Sequence, residues 1–127
     1  METGIMRDAL ITILMLVVAI IHLLPLVGIL SVERLRSLYQ VDIDGRDMEI
    51  LMRHRAALFG ILGLFFVYAA FTPAMQPIAF TVAFLSLASF FYLSFSVGDY
   101  NPAIRRVVVA DVIATACLLG AILLYLL

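Results

Sequence analysis

The chain has no lysine, no tryptophan and a single cysteine among its 127 residues. With Cys117 alone no internal disulfide can form, and cysteine usage does not identify a redox compartment. Charged residues make up 13% of the sequence, about half the share of an ordinary globular protein. All the cations are arginines, and the net charge of −1 provides no basic surface for nucleic acid. Short catalytic patterns are missing too: there is no glycine-rich phosphate loop, nucleophile elbow, CxxC pair or HxGH nucleotidyl-transfer motif. His22, His54 and Asp111 lack metal-ligand spacing, and neither histidine has an evident second shell for haem. Asp42 and Asp44 resemble the start of a calcium loop, but Gly45 is misplaced and no Glu closes the pattern. No metal, cofactor or catalytic residue is therefore expected, and a role other than catalysis is favoured.

What the sequence does contain is oil. Apolar residues make up 65% of it, more than a water-soluble chain of this length could bury. A hydrocarbon core about 30 Å thick needs roughly 20 helical residues to cross it. Ala9–Leu30 meets that length, and it is too long for a signal-peptide core. The uncharged stretch from Ala56 to Gly98 is too long for one crossing and breaks at Thr72–Pro77, where two prolines and Gln76 mark a turn. Spans are thus predicted near 9–30, 51–71, 78–97 and 103–127. The fold class is all-α: a four-transmembrane-helix bundle in one integral membrane domain over residues 1–127. Sustained alternation is lacking, which argues against strands.

The polar loop 31–50 carries a local signal of its own. Ser31 followed by Glu33 has the look of a helix start, because a serine can cap free amides and a carboxylate suits the positive end. Val32, Leu35, Leu38 and Tyr39 share one face, which predicts a short interfacial helix. Asp47 is a candidate cap for the second span. Two stripes of small residues, Ala56-Gly60-Gly63-Ala70 and Ala110-Ala114-Cys117-Ala121, read as packing seams.

Ionisable groups inside a span are costly and need an explanation. Asp111 lies about 12 Å into the fourth span, and His22 lies at similar depth from the same side. From Ala56 to Phe71 is about 24 Å of helix, so crossing draws Arg55, and Arg53 with it, toward the hydrocarbon edge. His22, Arg53, His54, Arg55 and Asp111 form the candidate polar cluster, with Tyr100 and Asn101 at its mouth. Arg55 and Asp111 are expected to form a bidentate pair, which would serve a ligand or proton site or act as a structural clamp. Thr115 is placed to add a hydroxyl, and Arg106, five residues from Asp111, is a weaker candidate partner because it points to another face.

Several segments together carry a resemblance. They are His22-Leu23-Leu24-Pro25, Glu33-Arg34-Leu35 with Leu38-Tyr39, and Arg53-His54-Arg55-Ala56 with Phe59-Gly60 and Gly63. Asn101-Pro102-Ala103, Arg105-Arg106-Val107 and Asp111 complete the set. In these the chain resembles small four-helix bacterial inner-membrane proteins and is broadly similar to DoxX-like membrane proteins. The resemblance implies a multi-pass protein of the bacterial inner (plasma) membrane and, as one functional expectation, a quinone- or redox-associated subunit. From the residues themselves the leading expectation is a non-catalytic bundle that binds a partner or a lipid-soluble ligand. Membrane lipid, a second copy or another membrane protein are the partners expected; a proton or small-solute conduit through the Asp-Arg-His cluster is the further alternative.

Four spans put both termini on one side, with only Arg7 there, while the other seven arginines lie opposite. The positive-inside rule places the charged loops in the cytoplasm. A cysteine introduced at Ser37 is then expected to resist an impermeant thiol reagent in intact cells and to react after lysis; labelling in intact cells reverses the orientation.

Overall fold

The computed structural model describes residues 2–127. The described residues form five α-helices and two 3-10 segments, with no strand. Helix α1 is Glu2–Leu23 and continues as a 3-10 segment, Leu24–Ile29, that contains Pro25. Then come α2 (Val32–Tyr39), α3 (Arg46–Ala70), a 3-10 turn at Pro73–Met75, α4 (Gln76–Val97) and α5 (Pro102–Leu126). Four stretches are long and apolar enough to cross a bilayer: Glu2–Ile29, Arg46–Ala70, Pro73–Val97 and Pro102–Leu126. The chain is a multi-pass, four-span helical membrane protein.

The helices outrun the oily segments that mark them. Helix α3 starts at Arg46 rather than near Leu51, and α1 starts at Glu2 rather than near Ala9. Backbone hydrogen bonding does not stop at the hydrocarbon edge, so charged turns extend the rods. At 25 residues each, α3 and α5 are about 37 Å long against a core of about 30 Å. Asp47 does not cap α3. Gly45, at φ 86°, holds that position, and Asp47 and Glu49 sit within the first turn, where their charges face the positive helix end.

Helix α1 packs along both α3 and α5, and α4 joins α5 and, more lightly, α3. The spans therefore form a ring in the order α1, α3, α4, α5, with neighbours antiparallel and α1 diagonal to α4. Met15, Val18 and Ala19 of α1 meet Phe66, Ala83, Leu87, Ala114 and Leu118 in one buried cluster. Close approach comes from the small residues of α3. A Cβ at Gly63 would stand 2.5 Å from Leu23 Cγ and 3.2 Å from the Ala19 carbonyl oxygen. One at Gly60 would run into Leu26, and one at Gly28 into Leu35. The predicted seam on α3 thus faces α1 and its 3-10 extension.

Helix α2 closes one end of the bundle against the 3-10 extension, α3 and α5. Ser31 caps it, its hydroxyl accepting from the Arg34 amide at 3.2 Å. Leu35, Tyr39 and Ile43 are buried beneath it, with Val32 and Leu38 packed alongside. At the opposite end Thr12 donates to the Ala70 carbonyl at 2.8 Å, and buried Gln76 donates to that of Ala69 at 3.1 Å. These two side chains add donors to carbonyls of the last turn of α3, where the helical ladder ends.

Gly63→Ala is expected to destabilise the protein, because the Ala19 backbone cannot move aside. Gly4→Ala, with nothing within 4 Å of the new methyl, is expected to be neutral or to stabilise by up to about 1 kcal/mol. Thermal unfolding of the two variants in detergent reads the opposite signs; equal shifts would remove the seam as the determinant of packing.

Candidate functional site

One cavity of about 350 Å³ opens beneath α2, and every helix contributes to its wall. Helix α1 supplies Ile21 and His22, its extension Leu24 and Pro25, and α2 supplies Ser37, Leu38 and Tyr39. Helix α3 adds Arg55 and Phe59, α4 adds Phe90, and α5 adds Ala103, Arg106, Val107, Ala110 and Asp111. Leu24, Ser37 and Arg106 are the exposed members and form the rim. The rim thus lies between the 3-10 extension, α2 and α5.

His22 is 3% exposed. A carbonyl only accepts, so Nδ1–H donates to Val18 at 2.9 Å, and in the neutral ring Nε2 accepts from the Ser86 hydroxyl at 2.9 Å. The ring also stands edge-on to Phe66, centroids 4.8 Å apart. Because Ser86 belongs to α4, this bond spans the diagonal of the bundle. Both ring nitrogens are committed.

Arg55 does not pair with Asp111. Its Nη1 donates to the Tyr39 hydroxyl at 2.7 Å, and its guanidinium lies 4.6 Å from the centre of the Phe59 ring and 5.2 Å from that of Tyr39. Two aromatic faces hold the cation in place, an arrangement that strengthens where water is scarce. The expected bidentate clamp is absent because α2 brings Tyr39 to the arginine first. Asp111 lines the same cavity, and among the described residues its carboxylate has neither a hydrogen bond nor an ion pair. Thr115 does not serve it: the threonine hydroxyl donates to the Asp111 backbone carbonyl at 2.7 Å.

The remaining candidates have other places. Arg53 Nε donates to the Ile29 carbonyl at 2.8 Å and its Nη1 pairs with Glu49 at 3.0 Å, tying α3 to the 3-10 extension. His54 is exposed and does not line the cavity. Tyr100 lines a separate, shallow depression with Asp99 and Arg105. Asn101 is not at a mouth. Its Oδ1 caps α5 by accepting from Ile104 at 2.8 Å, while Nδ2 donates to the carbonyls of Tyr39 and Gln40, both at 2.9 Å. It fastens α2 to α5. His22, Arg55 and Asp111 are therefore brought together, and Arg53, His54, Tyr100 and Asn101 are not.

Four contributors were weak or silent at the level of single residues. Arg106 lies off the face of Asp111 by helical spacing, yet its long side chain reaches the same cavity. Phe59, Phe90 and Ser86 are ordinary members of apolar runs. Only their rotational setting, which the ring order fixes, turns them inward. Comparison with protein-family models, with curated proteins and with solved structures finds no match to this chain.

The two polar residues at the centre are expected to respond differently. Ser86→Ala leaves a buried His22 nitrogen without a partner and should cost about 0.6–2 kcal/mol. Asp111→Asn should not lower the melting temperature in detergent, since no protein hydrogen bond or ion pair is lost and an unpaired charge is removed. The reverse order of effects would show that Asp111, not His22, holds the helices in register.

Proposed function

We propose that this protein binds a small amphiphile drawn from the bilayer and holds it without transforming it. The observation that carries the reading is the cavity of about 350 Å³ itself, within the range of ligand sites, with an unpaired Asp111 carboxylate on an otherwise largely apolar wall. A charge kept in a span without a protein partner is costly, and a bound molecule is the means of offsetting that cost. Phe59, Phe90, Leu24 and Val107 suit the apolar part of such a molecule; Arg55, Arg106, Ser37 and Asp111 suit its head. The apolar, exposed Leu24 at the rim supports entry from lipid.

A proton conduit finds less support, because His22 has both nitrogens engaged and offers no free relay atom. A quinone head group is the other occupant to consider, and the aromatic wall of Phe59 and Phe90 is what favours it. The arginine asymmetry supports cytoplasmic loops.

Ala110 stands on the cavity wall and is only partly buried. Ala110→Phe is expected to fill the site while keeping the bundle folded. Native mass spectrometry of the protein extracted in mild detergent should then show a bound amphiphile on the parent and a loss of at least about tenfold on the variant, the equivalent of 1.4 kcal/mol. The same adducts on both proteins would place lipid binding elsewhere.

A further inference from the structure

The charges on the cavity wall do not balance. Two guanidiniums, Arg55 and Arg106, face it with one carboxylate, Asp111, which leaves a single positive charge over. Among the described residues no acidic side chain pairs with either arginine. Arg55 has spent one donor on Tyr39, and its remaining N–H groups are free. An occupant that suits this wall therefore brings one negative charge with acceptor oxygens. It must also bring something for Asp111, which repels an anion and only accepts while ionised.

We propose that the cavity receives the head group of an anionic phosphodiester lipid that carries hydroxyl donors, of the phosphatidylglycerol kind. The phosphodiester supplies one negative charge and oxygens that match the guanidinium fork. The glycerol hydroxyls beyond it donate to Asp111, deeper in the wall than Arg106 by about one and a half helical turns. An ethanolamine head would satisfy Asp111 as well, but its lipid is neutral overall and leaves the extra positive charge uncompensated, while a serine head restores the charge with a carboxylate that Asp111 repels. A cavity this size takes a head group and not two acyl chains, so the chains leave past exposed Leu24 into the bilayer. The inference rests on the reading of the cavity as an amphiphile site and adds the chemistry of the head.

The test uses the full chain, delipidated in detergent and offered one lipid at a time, with retention read by native mass spectrometry. Phosphatidylmethanol has the same charge and chains as phosphatidylglycerol but no hydroxyl. The protein is expected to retain phosphatidylglycerol about tenfold better, the worth of one charge-assisted hydrogen bond. Phosphatidylcholine, without net charge, should be retained no better than phosphatidylmethanol. Asp111→Ala should erase the preference between the two anionic lipids by raising phosphatidylmethanol. Arg106→Gln, at an exposed rim position where folding is not at risk, should lower both by a similar factor. Equal retention of the two anionic lipids by the parent protein overturns the head-group assignment. So does displacement by tail-less glycerophosphoglycerol at the concentration of the lipid, which would make the ligand a soluble phosphodiester. Retention of decylubiquinone in place of phosphatidylglycerol also overturns it while leaving the amphiphile reading standing. Retention of neither means that the amphiphile reading itself is wrong.

Discussion

The close approach of α1 to α3 sets everything else. In lipid, helices gain little from burying oil against oil, so dispersion contacts at short range carry the association. Gly63 lets the α1 backbone come within reach of α3 at Ala19, and Gly60 admits Leu26 of the 3-10 extension. That extension, tightened through Pro25, then presents Gly28 to Leu35 and so seats α2. Without side chains at these three positions the chain can fold α2 back over its own bundle. The roof of the cavity is thus a consequence of three missing Cβ atoms.

Several polar side chains tie one element to another once the helices are set. Thr12, Gln76, His22, Arg53 and Asn101 each have a partner on another element. They act as ties where hydrocarbon or a helix end would otherwise leave a group unsatisfied, and their contribution is to register. Asp111 and Arg106 lack such partners and share a cavity. Set beside these ties, a carboxylate left without one on a cavity wall is informative.

Much of this was legible in the sequence, and the part that was not has a definite physical origin. Length and hydropathy locate the crossings, because the bilayer imposes one number on every span. The Ser31 cap and the Leu35–Tyr39 face of α2 were legible because both are local. Depth was legible too, since rise per residue places His22, Arg55 and Asp111 at overlapping levels. Rotation was not. Whether Arg55 turns to Asp111 or to Tyr39 depends on how α2 lies across α3, and that depends on long-range packing. The same holds for Asn101, expected at the mouth of the cluster, whose cap on α5 and bonds to α2 emerge only in the fold. Ser86 is the hardest case: a lone serine in an apolar helix has no distinguishing neighbour in sequence, and only the diagonal of the ring gives it His22.

The cavity also bears on what the sequence maintains at a cost to stability. A bundle selected for packing alone would place a larger apolar residue at Ala103 or Ala110, and would replace Asp111 with an aliphatic side chain. Either change adds dispersion contacts and removes an unpaired charge. The wall instead keeps small residues beside ionic ones, with Phe59 and Tyr39 spent on holding a guanidinium rather than on filling the space. Local departures from the best-packed solution are expected where a binding site has to stay open. Here they coincide at one end of the molecule, beneath the short helix α2.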